Sequence, residues 1–210
     1  MALLHPKNPL RILVRRIRYY LHNYKERQAL INRDFTIIAN NCWGWKIYNE
    51  LGIPYSSPFI GLHINGPCFI KLLGNLPHYL QEELTFINYS KYDNEKYSYP
   101  IGVLGNDIEI HFVHYNSEHY AQNTWYRRVK RINWDNLFIK MCDGYYSTPE
   151  IIEEFDSLDF KNKVCFTAKP YPHLTSCVWA ERDKSRECVD RDFIFYKSYF
   201  SAVDWLNGQT

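Results

Sequence analysis

Along the 210 residues the sharpest change of pattern falls between Phe35 and Gly52. The run Phe35-Thr36-Ile37-Ile38-Ala39 is apolar and largely β-branched, breaks at the amide pair Asn40-Asn41, and passes through Cys42-Trp43 into an apolar pattern that ends at glycine. That order predicts a buried strand, a polar turn and a helix. Upstream, Leu10, Val14, Ile17 and Leu21 recur at helical spacing between Pro9 and Ile31, with Leu13 beside them, and predict an amphipathic helix. Downstream, Ile53-Pro54-Tyr55-Ser56-Ser57-Pro58 is a stiff, turn-rich loop. Pro67 to Leu84 carries Phe69, Ile70, Leu72, Leu73 and Leu76 and predicts one or two helices broken near Pro77, whereas Asn88 to Tyr99 keeps neither period and predicts a long exposed loop or a weak edge strand.

Two strand-like runs, Tyr99 to Leu104 and Ile108 to Tyr115, flank Gly105-Asn106-Asp107 and predict a hairpin. Ser117 to Ile132 predicts a helix with Ser117 as its N-cap and Ala121, Trp125, Val129 and Ile132 as its inner stripe. Leu137 to Met141 predicts a strand, Thr148 to Phe155 a helix led by Pro149, Lys163 to Thr167 a strand, and Asp192 to Tyr196 the last strand. Strands alternating with helices predict an α/β fold. The expected form is a three-layer α/β/α sandwich on a mixed, mainly parallel sheet, with one domain over 34–210 behind an N-terminal helix within 1–33. Ligands of such sheets bind outside the carboxyl ends of the strands. That rule singles out Asn40, Asn41 and Trp43, with Tyr55 and Ser56 as a second wall.

Charge alters this picture at one end. Residues 1–33 hold eight Lys and Arg against Glu26 alone, a net +7, and the remainder holds 17 basic against 22 acidic residues, a net −5. A basic segment on an acidic body predicts contact either with an anionic partner, such as lipid or a membrane-bound polysaccharide synthase, or with the body itself, its arginines solvated. No apolar run approaches the ~18 residues of a membrane span. The expectation is a cytoplasmic protein, free or peripheral to the inner face of the membrane. Six cysteines without a C-x-x-C pair predict reduced thiols and no metal site. An acidic body without a reading motif argues against nucleic acid, and the absence of Gly-rich phosphate loops gives no cofactor to expect. Aromatics make up 17% of the chain, enough for a packed core or for a surface that stacks sugar rings.

Candidate chemistry gathers in three places. Asp107, Glu109 and His111 alternate along one strand and share a face. The row either binds a metal or supplies an acid and a base, or it is the watered face of a hairpin, which alternation alone favours. His111 and His114, at the strand's end, are the candidate acid/base. At the end of the next helix Arg127, Arg128, Lys130 and Arg131 suit phosphate or carboxylate, although a helix C-terminus favours cations without any ligand. Arg128, three residues after Trp125, is nearest the buried stripe. Cys42 sits at a strand-to-helix turn and is a candidate nucleophile if a histidine comes near, and otherwise a packed thiol. The asparagines admit a direct expectation: at a site, Asn41→Ala leaves the melting temperature nearly unchanged or raises it, whereas in a mere turn Asn→Ala costs about 1 kcal/mol. Trp43 and Trp45 directly after the pair predict that at least one of the two lines a pocket.

Asn40-Asn41-Cys42-Trp43-Gly44, Tyr55-Ser56-Ser57-Pro58-Phe59-Ile60-Gly61-Leu62, Tyr99-Pro100-Ile101-Gly102, Asp107-Ile108-Glu109-Ile110-His111 and the run from Trp125 to Asn136 together resemble a bacterial family of unknown function. Members of that family are often labelled exopolysaccharide biosynthesis proteins. The likeness extends from about Phe35 to about Pro172. It implies an α/β fold and a setting in capsule or cell-surface polysaccharide assembly, and carries over no catalytic residue. Trp45 departs from it where a second glycine is expected, and no acidic residue stands near Cys68, where one is expected. Together with the residues above, it predicts a transferase-like enzyme acting on a sugar nucleotide or glycan. Asn40, Asn41 and Trp43 then shape the pocket, Arg128 or Arg131 holds anionic groups, and His111 or His114 moves a proton. The competing reading is a non-catalytic adaptor docked through the basic helix.

Overall fold

A computed structural model describes residues 9–209, apart from the side chains of residues 9–12 and 15. The first eight residues of the 1–33 segment, and the side chains of Leu10, Arg11 and Arg15, lie outside the described residues. The chain begins with helix α1 (Pro9–Ala29), strand β1 (Thr36–Ala39) and α2 (Trp43–Leu51). Then come α3 (Gly66–Gly74), α4 (Leu76–Tyr79), β2 (Leu84–Ile87), β3 (Ile101–Leu104) and β4 (Ile108–His111). It continues through α5 (Glu118–Val129), β5 (Leu137–Cys142), α6 (Pro149–Ser157), β6 (Lys163–Thr167), β7 (Cys177–Trp179), α7 (Asp192–Phe195) and α8 (Ala202–Leu206).

The α/β class holds. Four parallel strands run in the order β1-β5-β6-β7, with Ile38 opposite Ile139 and Met141 opposite Cys165. The antiparallel pairs stand in a separate sheet, β2-β3-β4, which the chain inserts between β1 and its parallel neighbour β5. Parallel strands must be covered on both faces, and alternation along them supplies both. Ile37, Ala39, Phe138, Val164 and Phe166 point into one core with Trp43, Ile47, Tyr196 and Trp205. Ile38, Ile139, Met141 and Cys165 point into the other with α3, α5, α6 and the inserted sheet.

Helix α2 stops where Gly52 takes a left-handed φ of 69°, its N–H turned back to the carbonyls of Tyr48 and Asn49. Helix α5 starts as predicted, the Ser117 hydroxyl accepting from Tyr120 N. Four elements depart from expectation, and two of them, β7 and α8, stand where the sequence predicts no element. Leu84, read as the end of a helix, opens β2 instead. Asp192 to Phe195, read as a strand, is a short helix in which Asp192 is buried and Ile194 is 49% exposed. Four residues of mixed character cannot separate a period of 2 from one of 3.6.

Candidate functional site

At the carboxyl ends of β1 and β5 the chain turns through Asn40-Asn41-Cys42 and through Asp143-Gly144-Tyr145-Tyr146. Beside these turns opens a cleft of about 550 Å³. Cys42 comes to it from the β1–α2 turn, Trp45 from the first turn of α2, Tyr55 and Gly61 from the loop after α2, His114 and Tyr115 from beyond β4, Tyr120 and Arg128 from α5, and Tyr145 from beyond β5. Gly61 is positive in φ at 75°, and a Cβ there would sit 3.3 Å from His114 Cβ. Tyr145 and Tyr146 also hold left-handed φ values, 58° and 60°. Such backbone is costly for bulky residues and persists only where the surroundings fix it. The fixing contact is a column of rings: Tyr145 stacks on His63 at 4.9 Å, and His63 stacks on His111 at 4.3 Å.

Arg128 is held at the cleft wall. Its Nη1 donates to Tyr115 Oη at 2.8 Å and to the Ile60 carbonyl at 3.4 Å, while its guanidinium carbon lies 5.2 Å from the centre of the Tyr55 ring. The Tyr115 hydroxyl in turn donates a hydrogen bond to the same Ile60 carbonyl at 2.8 Å. A guanidinium carries five N–H donors in a fixed fork, and Nε and Nη2 have no acceptor among the described residues. Among the described residues Arg131 reaches only the Tyr55 carbonyl, at 3.4 Å on the surface. Trp45 and Tyr120, 44% and 51% exposed, form open aromatic walls. The cleft thus offers a positioned cation among flat rings, suited to an anionic group joined to a base or sugar.

The other polar residues of the strand ends are spent inside the protein. Asn41 donates to both Asp192 carboxylate oxygens at 3.0 and 3.1 Å, and its Oδ1 accepts from Lys140 Nζ and Trp43 N, each at 3.1 Å. Lys140 is completely buried and pairs with Asp192. Burial alone would lower its pKa, but the Asp192 carboxylate outweighs this and keeps the ammonium charged. Asn41 is therefore an internal tie between β1, β5 and α7. Asn40, equally buried, has no partner for either side-chain atom among the described residues. Trp43 is a core residue, edge-on to Phe166 and Tyr196 and fully buried, so its indole meets no ligand. Ser56 faces inward to the Phe35 carbonyl and to Tyr48 Oη at 2.8 Å.

The alternating acidic row is divided. Asp107 pairs with Lys71 near the surface, whereas Glu109 and His111 are buried, joined at 2.6 Å, with Ser90 Oγ 2.7 Å from the carboxylate and Tyr99 Oη 3.3 Å from His111 Nδ1. The segment after β2 folds over this face, so the expected watered face is interior. No group of three metal-binding side chains converges among the described residues. Burial, reinforced by His111, pushes the neighbouring His63 down to about 3, so its ring is neutral at ordinary pH. Cys42 remains a thiol: burial, with Asp192 adding to it, pushes its pKa up to about 11, and its hydrogen points at the Leu62 carbonyl, 3.7 Å away. A protonated thiol is a poor nucleophile.

Of the residues singled out from sequence, Cys42, Tyr55, His114 and Arg128 meet in the cleft, and His111 stands two rings behind its wall. Tyr115, Tyr120, Tyr145, His63 and Phe193 escaped that reading. Only the Tyr145-Tyr146 pair left a signal, two aromatics just past the predicted strand Leu137–Met141.

A family model described as a domain of unknown function (DUF1919) matches residues 13–207. A protein of Haemophilus influenzae titled "Uncharacterized protein" is 38% identical over 200 residues, which covers 92% of this chain and 93% of that protein.

Proposed function

The chain belongs to the DUF1919 family, a family of unknown function, and we propose that it binds a sugar nucleotide or an anionic glycan in the cleft at the carboxyl ends of β1 and β5. The observation that carries this reading is Arg128: its fork is oriented by Tyr115 and Ile60, and two of its nitrogens have no acceptor among the described residues. Those donors match the paired oxygens of a phosphate or carboxylate. Trp45 and Tyr120 offer open faces to the ring that carries the charge, while Tyr55 backs the guanidinium. The exopolysaccharide setting implied by the sequence resemblance is one in which such ligands are handled.

The chemistry that fits is glycosyl transfer. An acceptor hydroxyl oxygen bonds to the anomeric carbon, the bond from that carbon to the leaving diphosphate breaks, Arg128 offsets the charge left on the diphosphate, and His114 takes the acceptor's proton. Cys42 acts as a neutral wall.

A thermal-shift panel of nucleoside-diphosphate sugars and acidic oligosaccharides tests the reading. At 100 times its Kd a ligand adds about 2.7 kcal/mol to the folded state, so the true class raises the melting temperature clearly. A panel that leaves the wild-type midpoint unmoved throughout rejects it.

A further inference from the structure

Helix α1 meets the rest of the protein with its polar side. Tyr19 Oη accepts from Lys46 Nζ at 2.7 Å, Asn23 Oδ1 and Glu26 Oε2 accept from Lys197 Nζ at 3.1 and 2.5 Å, and Arg27 Nε donates to the Glu50 carbonyl at 2.8 Å. The spacing of 19, 23, 26 and 27 follows one stripe of the helix, and the buried Leu30 continues it just past the last turn. On the opposite side stand Leu13, Val14, Ile17, Tyr20, Leu21 and Tyr24, each between 41% and 67% exposed. A helix of a soluble domain normally turns such a stripe toward the core; α1 turns it away. No helix of the described residues is long and apolar enough to cross a membrane.

We propose that α1 is an interfacial anchor that lies in the surface of an anionic bilayer. In this arrangement Leu13, Val14, Ile17 and Leu21 enter the acyl boundary, Tyr20 and Tyr24 sit at headgroup level, and Arg16, Arg18 and Lys25, all exposed, meet lipid phosphates. Charge selects this occupant. The segment 1–33 carries +7 and the remainder −5, so an anionic surface attracts the helix and repels the body, which keeps the helix as the point of contact. A second copy of the chain would bring one +7 segment against another. Nucleic acid would leave the apolar stripe in water. The anchor is independent of the cleft's ligand, and its test does not involve that ligand.

Co-sedimentation of the full chain with vesicles decides the matter. Vesicles of phosphatidylglycerol mixed with phosphatidylcholine are compared with phosphatidylcholine alone, and salt is raised so that the Debye length shrinks from ~30 Å at 0.01 M to ~8 Å at 0.15 M. Two double variants of exposed residues accompany the wild type: Ile17→Ser with Leu21→Ser, which removes apolar surface, and Arg16→Gln with Arg18→Gln, which removes charge. The wild type is expected to prefer the anionic vesicles and to weaken with salt. The serine pair should bind roughly tenfold more weakly or worse, and the glutamine pair roughly thirtyfold more weakly, both with the melting temperature of the wild type. Equal binding to both vesicles, or undiminished binding by the serine pair, overturns the proposal. So does a wild type that binds no vesicle, whether it is a monomer, a dimer that the serine pair dissociates, or a protein held only by a membrane protein.

Discussion

Two cations stand at the carboxyl ends of the central strands, and they are used in opposite ways. Lys140 is completely buried, and its ammonium is taken up by Asp192 and Asn41. Arg128 is half-buried at the wall of an open cleft, and one nitrogen of its fork makes both of its hydrogen bonds. A buried charge is tolerable only when it is paired and hydrogen-bonded. The first cluster therefore holds the fold together, tying α7 to β1 and β5, while the second leaves two donor nitrogens without an acceptor among the described residues, the capacity on which the proposed ligand site rests. Position at a strand end does not by itself distinguish the two; unused hydrogen-bonding capacity beside open space does.

The largest effect that can break this comparison is at Lys140. Lys140→Met leaves Asp192 buried without its cation and should cost about 3–5 kcal/mol in urea unfolding. Adding Asp192→Leu should restore much of the loss, because the orphaned charge is then gone. A cost below about 1 kcal/mol for the single variant means that the network is not structural.

Asn41→Ala comes next. It strips Asp192, Lys140 and Trp43 N of a partner, so the loss should be about 1–3 kcal/mol, the outcome expected from the sequence for a structural turn rather than for a pocket wall. A melt indistinguishable from the wild type would favour the pocket wall instead.

The ring column behind Tyr145 gives a pH test. His63 titrates near 6.5 when unfolded and near 3 when folded, so below 6.5 the unfolded chain takes up a proton that the folded one refuses. Its contribution is level above pH 6.5, and stability falls as pH drops from 6.5 toward 3. His63→Phe preserves stacking and should flatten that part of the profile. An unchanged slope in the variant assigns the pH dependence to other groups.

Asn40→Ala should have the smallest effect, under about 1 kcal/mol in either direction, because neither atom of that amide has a partner to lose among the described residues. Adjacent asparagines then differ in sign or severity. A loss at Asn40 matching that at Asn41 would mean that ordered water satisfies it.

The β1–α2 unit and helix α5 were legible because local signals agree there: a β-branched run, a glycine at the left-handed cap, a serine N-cap, a stripe at period 3.6. Strand β2 was hidden, since Leu84-Thr85-Phe86-Ile87 continues the apolar character of α3 and α4 and is made a strand only by pairing with β3. Glu109 and His111 looked solvated because alternation reports which residues share a face, not what later covers it. Arg128 was readable from its spacing to Trp125. Tyr115, which aims it, and His63, which supports Tyr145, act through contacts distant in sequence, and no local pattern marks them.

The central claim, that Arg128 is the ligand-binding cation of an open cleft, is tested most directly by calorimetric titration of the wild type and of Arg128→Lys with the nucleoside-diphosphate sugar or acidic glycan that best stabilises the wild type. Lysine keeps the charge and loses the fork. The predicted result is affinity lower by roughly tenfold or more, about 1.4 kcal/mol, with a melting temperature close to that of the wild type. Equal affinity in the two proteins, with both folded, would contradict it.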